Sequence, residues 1–224
     1  MTKIEGFEQR IIRSGITASD LDEYEKYLRR VHGNYNRLQH CYLTAAAFPT
    51  ERTQQAVALI RWGLERYPDE GYSTYTCLSF IGHLYERSGD WQAAYSAYAQ
   101  ADATLGEGEL DYRRILAGDL MWTLLHIDGF SYTDQLRQYY DCFRESDDFE
   151  MGFVNNAFRL AVGELVIALH EGDRERAKSA HQAAMAMAEP SYVSRVQPLL
   201  DRHRAKDRLL ATPESLAFLE KQHI

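Results

Sequence analysis

The chain has 224 residues, of which 45% are hydrophobic and 26% are charged, and its formal net charge is −8. The hydrophobic content suffices for a sizeable core and argues against an intrinsically disordered chain. The acidic balance disfavours nucleic-acid binding, because an acidic surface repels phosphate. It suits a basic partner protein, although an acidic surface also serves solubility alone. With 5 Pro and 14 Gly, the sequence favours long helices with short stops over a β-protein.

The cysteines and the apolar segments indicate the cellular compartment of the protein. Cys41, Cys77 and Cys142 are an odd number, lie far apart and show no CxxC spacing, which predicts buried reduced thiols rather than a disulfide framework. No stretch approaches the roughly 18 apolar residues of a membrane span, and residues 1–13 lack the apolar core of a signal peptide. We therefore expect a cytoplasmic protein without a membrane partner.

Apolar residues at spacings of three and four predict helices in the first half of the chain, and no segment alternates like a strand. Thr17 or Ser19 is expected to cap the first helix ahead of an acidic first turn, and Gly33 to end it. Residues up to Gly15 are weakly patterned, and no helix is predicted there. Further helices are predicted at about 35–48, 50–67, 72–88 and 91–105, the last capped by Asp90.

The second half of the chain continues this pattern. Ser131, Asp173 and Thr212 each offer a side-chain oxygen that accepts from the free amides of a first helical turn. Helices are predicted at about 111–127, 132–144, 149–171, 174–190, 192–204 and 213–222.

One segment of two helices carries a specific pattern of small and aromatic residues. Gly82 and Ala94 are small enough for two antiparallel helices to approach closely, and Tyr85 and Tyr98 fill the space beside that contact. The full pattern is Leu78, Ile81-Gly82, Tyr85, Gly89-Asp90-Trp91, Ala94, Tyr98 and Ala101. This pattern resembles a tetratricopeptide repeat (TPR) nearly throughout.

Other segments resemble the same repeat less fully. One match comprises Leu43-Thr44, Ala47, Ala56, Ile60, Gly63 and Pro68. Another comprises Ala161, Leu165, Ala168, Gly172-Asp173, Ala177, His181, Ala184 and Pro190, with His181 where a larger apolar or aromatic residue is usual. Between them, Leu136, Tyr140 and Phe143 keep the spacing but replace small residues with large ones.

The resemblance covers about residues 37–190 and implies an all-α fold. The implied architecture is an irregular right-handed superhelix (α-solenoid) of about four TPR-like helix-turn-helix units. We expect an N-terminal capping helix region at 1–36, the repeat array at 37–190 and C-terminal capping helices at 191–224, because the ends of a solenoid need a cover. The alternative is an ordinary antiparallel helix bundle whose Gly-Asp turns arise from capping needs alone.

The resemblance also implies a binding groove, which the first helix of each pair lines. The groove candidates are Thr76, Ser79, His83 and Glu86 in the best-matching unit, with Cys41 and Ala45 in the preceding one. Family members that clamp an acidic peptide C-terminus use Lys and Asn in the groove. Ser79 and His83 stand here instead, so that ligand is not expected.

Two other sets of residues bear on binding. In the later units the residues that correspond to the groove are apolar: Met121, Leu125, Val162, Val166 and Leu169. They suit an apolar partner segment, or a cover formed by the C-terminal helices. An acidic patch in a predicted loop is a second candidate surface for a basic partner, or simply a solvated loop: Glu145, Asp147, Asp148 and Glu150.

The sequence gives no sign of catalysis or of a cofactor. It contains no HExxH, GxSxG, GxGxxG or GxxxxGK[ST] motif. None of the eight histidines lies four residues from another, so no helix offers a two-histidine metal face. We therefore expect neither an enzyme nor a metal or cofactor site.

The leading hypothesis is a non-catalytic module that binds a protein or peptide, as a TPR-like adaptor or chaperone-like scaffold. A stoichiometric inhibitor, such as an immunity protein that neutralises a bacterial toxin, is the alternative that small size, acidic charge and many tyrosines suggest. A peptide-sensing regulator is a third hypothesis, although the residues before the first repeat are too few and too acidic for a DNA-binding helix-turn-helix. Self-association as a homodimer is left open.

Overall fold

The computed structural model describes residues 3–68, 72–128, 131–145 and 154–187. Within these ranges the chain forms ten α-helices, one short 3-10 helix and no strand. None of these helices combines the length and apolar character that crossing a bilayer requires. The α-helices are α1 (Lys3–Ser14), α2 (Ala18–Leu28), α3 (Asn34–Ala46), α4 (Thr53–Arg66), α5 (Tyr72–Ser88), α6 (Trp91–Asp102), α7 (Leu110–Asp128), α8 (Thr133–Arg144), α9 (Val154–Glu171) and α10 (Arg174–Met187), and the 3-10 helix is Thr50–Arg52.

The all-α prediction is confirmed, and α5 begins and ends at the predicted residues. One helix was missed: α1 occupies a segment where none was predicted, and its Phe7 and Ile11 are buried. One cap was wrong, because Tyr132 occupies the N-cap position of α8. Ser131 instead donates from Oγ to Asp128 Oδ2 at 2.7 Å. The helices predicted at 192–204 and 213–222 lie outside the described residues.

The chain divides into two compact units, Met1–Arg113 and Arg114–Ile224, with the boundary near the start of α7. The predicted division into an N-terminal capping region at 1–36, a repeat array at 37–190 and C-terminal capping helices at 191–224 stays a prediction. In the first unit, side chains from α1 to α6 share one core. Its fully buried members include Ile11, Tyr24, Leu28, Cys41, Ala45, Leu59, Ile60, Cys77 and Ile81.

Arginines from other segments cap the C-termini of several helices in the first unit. The last carbonyls of a helix lack partners within the helix and carry the negative end of its dipole, so a guanidinium is stabilising there. Arg52 Nη1 donates to the carbonyl of Ile12 in α1 at 2.9 Å. Arg37 does the same at the end of α2, and Arg87 at the end of α3.

Two turns have the same Gly-Asp geometry. Gly89 follows α5 with φ +78°, and Gly172 follows α9 with φ +73°, a conformation that glycine adopts without strain. The next residue then caps the following helix: Asp90 Oδ1 and Asp173 Oδ1 each accept from an amide three residues on, at 3.1 Å. The predicted caps at both positions are confirmed. Each turn therefore links two helices into a hairpin.

Three hairpins bring a helical glycine against a side chain of the paired helix. At each of these glycines an added Cβ would lie closer than 3.0 Å to that side chain, so a larger residue would push the helices apart. The pairs are Gly63 with Cys41 (α4 and α3), Gly82 with Tyr98 (α5 and α6) and Gly118 with Phe143 (α7 and α8). Gly118 thus makes room for the large residue that departs from the repeat pattern in α8.

Candidate binding surface on α5

One side of α5 carries a row of polar residues at spacings of three, four and three, which we call the α5 row: Thr76, Ser79, His83 and Glu86. Cys77, Ile81 and Leu84 of the same helix are buried and fix its orientation on the core. Thr76 and Ser79 are half-buried. The side chain of His83 is 47% exposed and that of Glu86 is 14% exposed. Four of the six predicted groove residues therefore lie together at this surface.

A contact with α6 fixes the position of the His83 side chain. Its Nδ1 lies 2.8 Å from the hydroxyl of Tyr98, which is fully buried in α6. The two rings meet edge to face at 5.4 Å, and Glu86 Oε2 lies 3.8 Å from Nδ1. An imidazole fixed in this way loses little conformational entropy when it binds a ligand. His83 is therefore the best-positioned recognition group of the α5 row.

Aromatic side chains extend this surface from α5 to α3. Phe80 meets the ring of His83 edge on at 6.4 Å and the ring of Tyr42 at 5.6 Å. Both Phe80 and Tyr42 are half-buried. The α5 row therefore has an apolar, aromatic border on the side of α3, which suits contact with an amphipathic segment of a partner.

The prediction that Cys41 and Ala45 line the groove is wrong, because both residues are fully buried in the core. Leu43, expected in the core from the repeat pattern, is 55% exposed, and Ala47 is also exposed. The cause is the packing of α3. Cys41 contacts Gly63 of α4, and α1 and α2 contribute to the same core, so the inward face of α3 differs from the one the pattern predicts.

The apolar residues predicted to correspond to the groove in later units are interior. Met121, Leu125, Val162 and Val166 are buried, and Leu169 is half-buried. Met121 Sδ lies close to the backbone of Gly163, so α7 and α9 pack together at this point. These residues do not form an open apolar groove.

Only Glu145 of the predicted acidic patch lies within the described part of the chain. It follows α8 directly, its side chain is 66% exposed, and its carboxylate is 3.9 Å from Arg114 Nη2. Asp147, Asp148 and Glu150 lie outside the described residues, and the patch stays a prediction.

A polar network among α1, α2 and α3 was not predicted. Tyr24 is fully buried, and its hydroxyl donates to Glu8 Oε1 at 2.8 Å and lies 3.0 Å from Thr44 Oγ1. His40 Nδ1 is 3.0 Å from the same Glu8 oxygen. Sequence reasoning missed this network because it missed α1. The signal was present, since Ile4, Phe7 and Ile11 follow a helical spacing.

Burial and hydrogen bonds perturb the ionisation of this network. Burial raises the pKa of Tyr24 far above its usual value. Burial would also raise the pKa of Glu8, but hydrogen bonds from His40 and Tyr24 outweigh it, and the pKa of Glu8 is lowered. The hydrogen bond to Glu8 raises the pKa of His40 against an opposing contribution from burial. Glu8 and His40 therefore form a charge-assisted pair in weakly acidic solution.

No protein-family model matches this chain, and neither a curated protein nor a solved structure is significantly similar to it. The TPR resemblance therefore rests on the residues quoted above.

Proposed function

We propose that this chain is a non-catalytic module that binds a protein or peptide along the α5 row. In this proposal its hairpins are TPR-like units of an irregular right-handed superhelix, and the module serves as an adaptor or a chaperone-like scaffold. The observation that carries the proposal is the fixed, half-exposed His83 on the outer side of a close-packed hairpin.

The packing of α5 and α6 supports the comparison with TPR units. Gly82 is in contact with Tyr98, and Ala94 and Ala101 are fully buried, as the repeat pattern predicts for a closely packed pair. The geometry of the Gly89-Asp90 turn recurs at Gly172-Asp173, between α9 and α10. A turn that recurs with the same geometry is expected of a protein built from repeats of one structural unit.

The chemistry of the α5 row supports a polypeptide ligand. Two hydroxyls, an imidazole and a carboxylate provide donors and acceptors for backbone amides and polar side chains. The aromatic border at Phe80 and Tyr42 provides area for an apolar side chain beside them. The net charge of −8 favours a basic partner over an acidic one.

Three free cysteines fit a reducing compartment, and we place the protein in the cytoplasm as part of this proposal.

Site-specific photocrosslinking in the native cell tests the proposal. A benzophenone amino acid replaces Ser79 in one variant and Gln92, an exposed residue of α6 outside the α5 row, in a matched control. We expect a discrete protein adduct from position 79 and none from position 92. Adding Thr76→Arg to the first variant is expected to abolish the adduct, because a long charged side chain then occupies the row.

Two results would contradict the proposal. One is the same set of adducts from positions 79 and 92, which would indicate random collisions. The other is the absence of any protein adduct when each of the four positions of the α5 row is tested in turn. Circular dichroism of every variant ensures that a lost adduct reflects the surface and not the fold.

A further inference from the structure

Several polar contacts join helix α1 to the rest of its unit, and the one between Glu8 and His40 involves a histidine, which titrates near neutral pH. Glu8 Oε1 accepts from the Tyr24 hydroxyl at 2.8 Å and lies 3.0 Å from His40 Nδ1. The side chain of Glu8 is largely shielded from solvent, and that of His40 is partly exposed. Protons can therefore reach His40 from solvent, while the Glu8 carboxylate depends on protein donors.

The following contacts of α1 do not change charge in the neutral pH range. Phe7 stacks on Tyr24 at 5.4 Å, and Ile11 is fully buried. Arg10 Nη1 is 2.8 Å from Asp20 Oδ1, and Arg10 Nη2 is 3.2 Å from a Glu23 oxygen. Arginine and aspartate stay charged at neutral pH, and apolar contacts do not titrate.

Among the described groups of the Glu8–His40 network, His40 is the one that changes charge near neutral pH. From α2 the facing group is Tyr24, and from α3 they are Thr44 and Cys41. Burial raises the pKa of Tyr24 and of Cys41, so both keep their protons. Glu8 stays ionised, because its pKa is lowered.

We propose that proton binding at His40 controls how firmly α1 is seated on α3, so that α1 opens more often in weakly alkaline than in weakly acidic solution. Protonated His40 gives the Glu8 carboxylate a charged donor, which is roughly twice as strong as a neutral one. When His40 loses its proton, the pair becomes a neutral-donor hydrogen bond at best, and α1 relies on its apolar contacts and on Arg10.

The direction of the pH effect on α1 follows from the direction in which the pKa of His40 is shifted. When a contact raises the pKa of a base, the contact stabilises the folded state in full at pH values below the unperturbed pKa. This stabilisation is lost as the pH rises through the raised pKa. The hydrogen bond to Glu8 is the cause of the raised pKa of His40. Because Phe7 and Ile11 remain buried, the change is a graded one in local opening of α1 and not its release.

Hydrogen exchange of the full chain at pH 6 and pH 8 tests this inference, with exchange in α1 corrected for the intrinsic rate and compared with α5. We expect the protection of α1 relative to α5 to fall severalfold from pH 6 to pH 8, because a charged donor stabilises the Glu8 carboxylate more than a neutral donor does. In His40→Gln, which keeps an amide donor but does not titrate, the relative protection is expected to be equal at both pH values.

His32→Gln is the matched control. His32 is an exposed histidine between α2 and α3, and its substitution is expected to leave the pH dependence of α1 unchanged. An NMR titration of the histidine rings in the wild type gives a second readout that needs no altered core. We expect the His40 midpoint to lie above the usual value of a histidine side chain and to fall in Glu8→Gln.

The inference is overturned if the relative protection of α1 is the same at both pH values in the wild type. It is equally overturned if His40→Gln shows the wild-type change, or if the His40 midpoint lies at or below the usual value of a histidine side chain. None of these results bears on crosslinking at the α5 row, so the inference and the proposed function fail independently.

Discussion

Gly82 of α5 lies against the ring of Tyr98 of α6, and the hydroxyl of that ring lies 2.8 Å from His83 Nδ1. A single tyrosine thereby sets the spacing of the hairpin and the position of the exposed imidazole. The packing of the hairpin and the candidate surface are coupled through this one side chain, so changes that move Tyr98 are expected to affect both the stability of the protein and the position of His83.

Gly82→Ala is expected to destabilise the protein. A Cβ at residue 82 overlaps the ring of Tyr98, which is fully buried and has no free space to move into. Overpacking of this kind costs typically about 1–3 kcal/mol, and here it exceeds the small gain in helix propensity from alanine. Urea denaturation, monitored by circular dichroism, measures the decrease in the free energy of unfolding.

Gly108→Ala is the control for this prediction, because a Cβ at residue 108 meets no atom within 4 Å. Its effect on the free energy of unfolding is expected to stay within about 0.5 kcal/mol. Equal effects of the two substitutions would show that α5 and α6 do not approach each other closely at Gly82.

Tyr98→Phe separates the two roles of the tyrosine. The ring stays and keeps the hairpin packed, whereas the contact with His83 is lost. We expect a loss of about 0.5–1.5 kcal/mol in the free energy of unfolding, and a weaker adduct from the benzophenone at residue 79 because His83 becomes mobile. An adduct of unchanged yield would mean that a fixed imidazole does not contribute to recognition.

The comparison of α5 with α3 shows what the sequence can predict. In α5 one apolar stripe is clear, so the pattern predicted the bounds of the helix and the burial of Ile81 and Gly82 correctly. In α3 two stripes are apolar: one contains Cys41 and Ala45, and the other contains Leu43 and Ala47. Local spacing does not decide between them, and the decision comes from α1, α2 and α4, which pack on the first stripe.

The contacts that fix His83 and Glu8 could not be predicted for a related reason. The pattern predicts that Tyr98 fills space, but the partner of its hydroxyl depends on the angle between two helices. Glu8 and His40 are 32 residues apart, and no local rule pairs them. Turn chemistry, in contrast, is local, and the caps at Asp90 and Asp173 were predicted correctly.

Arg87→Met is expected to destabilise the end of α3. Arg87 Nη1 and Nη2 donate to the carbonyls of Ala46 and Phe48 at 3.1 and 2.8 Å, across 41 and 39 residues of sequence. Charged hydrogen bonds contribute about 1.5–3 kcal/mol when shielded, and the solvent exposure of Arg87 reduces this to about 1 kcal/mol. Arg61→Met, at an exposed residue of α4, serves as the control and is expected to be nearly neutral.

Asp20→Asn is expected to cost stability at neutral pH and little in strong acid. Thr17 donates from its backbone amide and its hydroxyl to Asp20 Oδ2 at 2.8 and 2.7 Å, which forms a capping box at the start of α2. These hydrogen bonds, with help from Arg10, hold the pKa of Asp20 below 3.8. A lowered pKa contributes stability above the unfolded value and loses it as pH falls through the folded value.

The difference in the free energy of unfolding between wild type and Asp20→Asn should therefore be complete above about pH 5 and shrink below about pH 4. Urea denaturation at a series of pH values measures it. Asp22→Asn, at an exposed neighbour outside the capping box, should show no such trend. A difference that stayed constant down to pH 2 would contradict the assignment.

The thiols are expected to differ sharply in reactivity toward an aromatic disulfide reagent such as DTNB. Cys41 and Cys77 are fully buried, and burial raises the pKa of Cys77 to about 12 and that of Cys41 well above its usual range. Since the thiolate is the nucleophile, neither should react in the native protein.

Cys142 is half-buried, so native protein should release one equivalent of the coloured thiolate and denatured protein all three. Cys142→Ser should abolish the native reaction, and any fast equivalent released by that variant would mean that the core around α3 and α5 opens readily.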